Sequence, residues 1–292
     1  MRIPALRCYS PVIVVRNERH PIVRTVRVKS ALTRSRIFPY CVNPYAGCEH
    51  ACVYCYARFA TRFSHPGEQW GTFVDVRENA PEVLERQVRR ASPSTVYISS
   101  VCDAWQPAES RHCITRACLK VLLNSGFRLF LQTKSSLIER DMDLLSGRAD
   151  VTVGVTVTTV DDQYARIFEP YASPPAERLR IVNVARRRGL RTFVFLGPLL
   201  PGVSDRGEGL SELCARVAAA APDFVIVDRL NRRAGIWRDI RPALESTSCP
   251  TLLAEFHEVL FGGDTSYDND LKARIEQVAA RSGLLDRIEW CF

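Results

Sequence analysis

Five short apolar runs alternate with helical segments between residues 95 and 228, and this alternation limits the fold more than any other feature of the chain. The runs are TVYISS (95–100), FRLFLQT (127–133), VTVGVTVT (151–158), RTFVFLG (191–197) and DFVIVD (223–228). They are rich in the β-branched and aromatic residues that strands favour. Helices are expected before and between them: from Asn79 and Pro81 through Arg90, Pro107 to Asn124, Leu137 to Leu145, Pro175 to Arg188, and Gly209 to Ala220. Gly126 and Gly189 stop two of these. Short apolar strands separated by helices are the pattern of parallel strands buried on both faces. An open doubly wound sheet and a barrel both satisfy it. No G-x-G-x-x-G opens a helix, which counts against a dinucleotide-binding fold. Past residue 235 the pattern loosens: TLLAEF (251–256) reads as a further strand and Leu271 to Ala280 as a terminal helix.

In parallel sheets and barrels, chemistry gathers where the strands end. The residues that follow the five runs are Cys102 and Asp103, Thr133 and Lys134, Thr158 and Thr159, Pro198, and Arg229 and Asn231. Most are polar, which a purely structural scaffold does not require.

The net charge of +8 sits in one place. Residues 1–40 carry nine bases (Arg2, Arg7, Arg16, Arg19, Arg24, Arg27, Lys29, Arg34, Arg36) against Glu18 alone, and the other 252 residues balance at 31 bases and 31 acids. A basic segment attracts phosphate backbones, so nucleic acid is a candidate partner; a solvated tail is the plainer reading. At 46% hydrophobic and 25% charged, the composition is that of a globular chain. No apolar run approaches the ~20 residues of a membrane helix, and no signal peptide is apparent. Eleven cysteines in a chain of this length point to metal or reactive thiols and a reducing, cytoplasmic setting.

Three of those cysteines crowd into NPYAGCEHACVYCYAR, where Cys48, Cys52 and Cys55 follow the spacing C-x3-C-x2-C. Thiolates are soft ligands that suit iron–sulfur clusters and zinc. A four-iron cluster usually takes four cysteines, so three would leave one iron open. Zinc needs a fourth donor, for which His50 or Cys41 is placed. Cys113 and Cys118 read chiefly as buried thiols, with an auxiliary cluster shared with Cys102 as the alternative; Cys8, Cys214, Cys249 and Cys291 are scattered.

With its aromatic Tyr54, the loop resembles the radical S-adenosylmethionine superfamily. The resemblance implies a partial (β/α)6 barrel of about six parallel strands. It also implies a [4Fe–4S] cluster on Cys48, Cys52 and Cys55, and S-adenosylmethionine chelated to the fourth iron. One-electron cleavage of that cofactor gives a 5′-deoxyadenosyl radical. The flanks of the loop, with SSVCDAWQPAE, TKSSLIERDMDLL, VTVTTVDD, FEPYASPPAERL and FLGPLLPGVSD, resemble the branch that includes spore photoproduct lyase, over roughly residues 38–205. By that resemblance Lys134 meets the cofactor's carboxylate, Thr156 falls where the branch has a serine near the same cofactor, and Tyr54 fills the motif's aromatic position in the cofactor-binding loop. On its own chemistry Asp103, past the second strand with Glu109, can accept from a cofactor hydroxyl or amine, the alternative being a helix N-terminal charge that matches the dipole. Cys102 lies close to the branch's hydrogen-donor cysteine, although it stands directly before Asp103 rather than one residue earlier. No segment matches the lyase's aromatic radical-relay pair.

The expectation is a basic N-terminal extension over 1–40, a radical S-adenosylmethionine core over 41–235, and a C-terminal α-rich extension over 236–292 packed on the core. The function expected is a lyase-like enzyme that abstracts hydrogen from a substrate, with nucleic acid a candidate, and that draws electrons from a flavodoxin or ferredoxin. Two other classes stay open on the residues alone. One is a zinc- or cluster-stabilised nucleic-acid-binding protein without radical chemistry; the other is an electron-carrying iron–sulfur protein.

Overall fold

The computed structural model describes residues 21–233, 235–247, 249–263 and 265–292. Cys8 and the basic residues Arg2, Arg7, Arg16 and Arg19 lie outside them. The strands are β1 (Ile22–Val26), β2 (Leu32–Arg34), β3 (Tyr40–Val42), β4 (Tyr45–Ala46), β5 (Phe73–Arg77), β6 (Thr95–Ile98), β7 (Arg128–Thr133), β8 (Val151–Val157), β9 (Arg191–Leu199), β10 (Phe224–Arg229) and β11 (Ile288–Trp290). Eight form one sheet in the order β11-β10-β9-β8-β7-β6-β3-β2. Every neighbouring pair in it is parallel except β2 with β3. No pairing joins β11 to β2 among the described residues, so the sheet is a partial barrel with an open side. To the six parallel strands expected, the chain adds a seventh, β11, contributed by its C-terminal end.

Alternation along the strands divides the two faces, as a period of two requires. Val96, Ile98, Leu129, Leu131, Val153, Val155, Val194, Leu196, Val225 and Val227 point outward into the main core and pack under the crossover helices. Tyr97, Phe130, Gln132, Thr156, Phe195 and Ile226 point inward and line a cavity. Gly154 of β8 also belongs to the inner set, where a Cβ would stand 2.2 Å from the Phe193 ring. Its missing side chain lets Phe193 stack between Phe130 and Phe224, with ring centroids 4.4 and 5.3 Å away.

A second sheet, β1-β5-β4, lies outside the barrel strands. The segment IVRTVRVK does form a strand, β1, which pairs in parallel with β5. Part of the N-terminal charge is neutralised there: Arg24 makes a two-point contact with Glu68 (3.2 and 2.9 Å), and Arg27 meets Glu78 at 3.1 Å.

Three local expectations change. TLLAEF is helical, within Pro250–Phe261, because Pro250 opens a helix and an apolar run alone cannot separate the two states. The helix expected from Pro107 to Asn124 breaks into Glu109–His112 and Ile114–Leu123 at Cys113, whose φ is 54°. A helix at Asp162–Phe168, capped by the Asp161 carboxylate, was not expected. The C-terminal helices Trp237–Glu245 and Pro250–Phe261 place Ile236, Ile240, Leu252 and Phe256 in one apolar cluster with Cys52 and Tyr54, so they buttress the cysteine loop. No helix among the described residues is long and apolar enough to cross a membrane.

Candidate functional site

The cysteine loop leaves β4 through Gly47, whose φ of +80° only glycine adopts readily, and whose missing Cβ would stand 2.4 Å from the Phe73 carbonyl. The loop can therefore lie directly on β5. Arg58 closes it from below, donating to the carbonyls of Cys55 (2.8 Å) and Val53 (3.0 Å). The Val53 amide donates to the Phe168 carbonyl at 3.0 Å, which fastens the loop to the far side of β8.

This arrangement sets the loop over the C-terminal ends of the barrel strands, where a cavity of about 310 Å³ opens. Cys48, Cys52, Cys55, Tyr54, Cys102, Asp103, Lys134 and Thr156 all line it, together with Gln132, Arg229 and Asn231. The eight residues singled out from sequence thus share one cavity. Among the described residues, no three His, Cys, Asp or Glu side chains are arranged to hold a single metal ion. Cys102, Cys113 and Cys118 do not gather into a further site among them. Cys113 is exposed at the helix break, and Cys118 is buried in the main core.

Burial pushes the three loop thiols up, Cys52 to about 12, so thiolates here call for positive charge nearby. Lys134 supplies one such charge. Its desolvation is outweighed by Cys52 and Glu169, which hold the ammonium above the usual lysine range. Its Nζ lies 4.0 Å from Glu169 Oε1 and 5.6 Å from the centre of the Tyr54 ring. Glu169 is fully buried, with Arg178 Nη2 2.6 Å from Oε2 as an ion pair and the Tyr54 hydroxyl donating to Oε1. Burial works against that carboxylate, but Arg178 and Lys134 prevail and hold it below the usual carboxylate range.

Asp103 is engaged on both oxygens. Oδ1 accepts from the Trp105 amide (2.9 Å) and the Thr133 hydroxyl (2.7 Å); Oδ2 accepts from the Lys134 amide (2.7 Å), and His50 Nδ1 stands 3.4 Å away. Burial raises this carboxyl, yet His50 and these hydrogen bonds bring it down to about 2. A carboxylate offers about four acceptor positions, and protein groups occupy them here. Asp103 therefore ties the end of β6 to the end of β7 and fixes the backbone that carries Lys134.

Thr156 Oγ1 accepts from Gln132 Nε2 at 2.9 Å, and Gln132 Oε1 accepts from the Tyr97 hydroxyl at 2.9 Å. The chain of bonds crosses β6, β7 and β8 and leaves the Thr156 hydroxyl proton free to donate. Cys102 Sγ lies 3.5 Å from Ser99 Oγ, and burial pushes its thiol up to about 12, so it keeps its proton at neutral pH.

Sequence reasoning passed over Glu169, Arg178, Gln132 and Tyr97. Gln132 and Tyr97 carry a signal: each is a polar or amphipathic residue at an inward position of an apolar strand. Glu169 and Arg178 both stand in FEPYASPPAERL, and nothing in their spacing marks them as partners.

The fold and the site together define an α/β protein of the partial-barrel kind, with a thiol-lined cavity at the strand ends. The family described as the Radical SAM superfamily matches residues 42–214, and the chain belongs to it. That family implies S-adenosylmethionine and an iron–sulfur cluster as cofactors. An uncharacterised protein of Mycobacterium tuberculosis (strain ATCC 25618 / H37Rv) is 32% identical over 254 residues, covering 84% of this chain and 74% of that protein. A radical SAM Nα-GlyT isomerase of Pseudomonas phage M6 is 24% identical over 187 residues, covering 63% of this chain and 38% of the isomerase. Among solved structures, a tyrosine-to-phenylalanine mutant of spore photoproduct lyase aligns with a TM-score of 0.69 at 12% identity, covering 100% of this chain and 87% of that one. The same lyase complexed with dinucleoside spore photoproduct aligns with a TM-score of 0.60 at 13% identity, covering 82% and 80%. These likenesses show the shared fold. The three loop thiols and the adjoining cavity with its ammonium are a donor set that suits the family's two cofactors.

Proposed function

We propose that the chain is a radical S-adenosylmethionine enzyme that holds a [4Fe–4S] cluster on Cys48, Cys52 and Cys55 and takes hydrogen from a nucleic-acid substrate in a lyase-like reaction. The observation that carries this reading is the single cavity shared by the loop thiols and by residues from three strand ends. When bound, the cluster and S-adenosylmethionine supply one-electron cleavage of the sulfonium and a 5′-deoxyadenosyl radical that abstracts hydrogen, with a flavodoxin or ferredoxin as electron donor.

The chain's own residues bind and orient. Lys134 presents an ammonium to the cavity for the cofactor's carboxylate, and Glu169 with the Tyr54 ring holds that ammonium in place. Thr156 offers its hydroxyl proton as a donor. Asp103 acts through the Lys134 backbone and His50. Cys102 presents a protonated thiol to the same cavity, which suits a hydrogen-atom donor. The nucleic-acid substrate is supported by the basic N-terminal segment and by the lyase whose fold this chain shares.

Anaerobic purification tests the reading. Wild-type protein should be brown and iron-loaded, and Cys48→Ala, Cys52→Ala and Cys55→Ala should each lose the iron, because two thiolates remain. Colourless wild-type protein loaded with zinc would favour the alternative, a zinc-stabilised nucleic-acid-binding protein.

A further inference from the structure

Beside the cofactor cavity lies a larger cleft, of about 780 Å³, that the chemistry above does not use. The two share Tyr56 and Trp70 as lining residues, so one opens beside the other. Arg58, Arg62, Arg233 and Arg238 line the cleft against two carboxylates, Glu68 and Asp239. Both carboxylates are engaged: Glu68 with Arg24 and His65, and Asp239 with Arg58 and, at 3.5 Å, Arg238. Arg62 and Arg233 pair with no carboxylate among the described residues. Each guanidinium lies instead over a ring, Arg62 at 4.5 Å from the Phe63 centroid and Arg233 at 4.7 Å from that of Phe59. Phe59 in turn stacks with Tyr56, their planes 17° apart. Phe63 is 83% exposed, so its ring is open to a partner from solvent.

We infer that this cleft seats a single-stranded stretch of nucleic acid, with Arg62 and Arg233 on its phosphates, Phe59 and Tyr56 of its lining under its bases, and Phe63, outside the lining but under the Arg62 guanidinium, meeting a further base. The inference rests on the proposed nucleic-acid substrate and gives it a location. A guanidinium fork matches phosphate oxygens, and stacking on a ring holds it oriented without neutralising it. Rings interleaved with arginines, Phe63 and Tyr56 exposed and Phe59 half-buried, suit bases whose faces are free, whereas a duplex buries those faces in its own stack. A base that reacts in the 310 Å³ cavity must in any case leave its stack to reach it. The concave form and volume lie in the range of ligand clefts, which favours a strand over the face of an acidic redox protein.

The test uses the full chain, reconstituted anaerobically, and fluorescein-labelled single-stranded DNA and RNA 12-mers of mixed sequence, read by anisotropy at several salt concentrations. The variants are Arg62→Gln with Arg233→Gln, and Phe63→Ala. A charge-matched control is Arg186→Gln with Arg187→Gln, an exposed pair at the end of helix Pro175–Arg187 that feeds the opposite, N-terminal end of β9. The cleft double variant should bind at least tenfold more weakly, and its salt slope should fall by about 1.4, two phosphates at ~0.7 each. Phe63→Ala should also lose about tenfold or more. The control should stay within about twofold of wild type. Equal losses in the cleft variant and the control would overturn the inference, since general attraction would then account for binding. Wild-type binding with unchanged cleft variants overturns the location alone, whereas no wild-type binding to either strand overturns the nucleic-acid substrate with it. Retained strand affinity with loss of reduction by a flavodoxin would make the cleft the donor's dock and would also overturn the inference.

Discussion

The Tyr54 hydroxyl donates to the Glu169 carboxylate across 115 residues of sequence. Tyr54 belongs to the cysteine loop, and Glu169 directly follows helix Asp162–Phe168, so the bond joins the loop to the return from β8. Arg178, fully buried, holds the other oxygen of the same carboxylate.

Glu169→Ala should destabilise the protein by about 3–5 kcal/mol, because the Arg178 guanidinium would remain buried without its counter-charge. Glu169→Gln, which keeps the shape, should cost less. Urea unfolding of the two variants checks this, and a loss under about 1 kcal/mol for the alanine variant would contradict the buried pairing.

Lys134→Ala should weaken S-adenosylmethionine binding by about 1.5–3 kcal/mol, roughly tenfold to a hundredfold, the range for a hydrogen bond to a charged group. Iron content should stay near wild type, since no cluster thiol is removed. Calorimetry on the iron-loaded protein reads the affinity. Unchanged binding would show that the ammonium does not meet the cofactor.

Asp228 gives a pH-dependent expectation. Burial pushes its carboxyl up to about 6 from an ordinary 3.8. The folded state then holds a proton that the unfolded state has released. The stability this contributes is present below pH ~3.8 and is lost as pH rises through ~6. Asp228→Asn should remove that loss, by up to about 3 kcal/mol at neutral pH. The difference in unfolding free energy between wild type and Asp228→Asn, at pH 4.5 and 7.5, reads it directly. A difference independent of pH would mean that Asp228 titrates as an exposed group.

The cysteine loop was legible because three soft donors, Cys48, Cys52 and Cys55, crowded into eight residues stand out in a sequence. The strands from β6 to β10 were legible because burial demands unbroken apolar runs. The sheet β1-β5-β4 was mostly hidden: β4 has two residues, and β5 alternates within a stretch of mixed polarity. Pro250–Phe261 misled because an apolar hexapeptide lacks a period long enough to separate helix from strand. Glu169 and Arg178 were invisible as a pair, since topology alone turns them toward Tyr54 and Lys134. Asp103 was expected to face the cofactor, but its oxygens are engaged by the protein, which only the register of β6 beside β7 reveals.

Formation of 5′-deoxyadenosine is the decisive readout for radical chemistry at Cys48, Cys52 and Cys55. Anaerobically reconstituted wild-type protein, mixed with S-adenosylmethionine and dithionite, should release 5′-deoxyadenosine, and Cys55→Ala under the same conditions should release none. Wild-type protein that carries iron and binds S-adenosylmethionine, yet leaves it intact on reduction, would contradict the proposed chemistry.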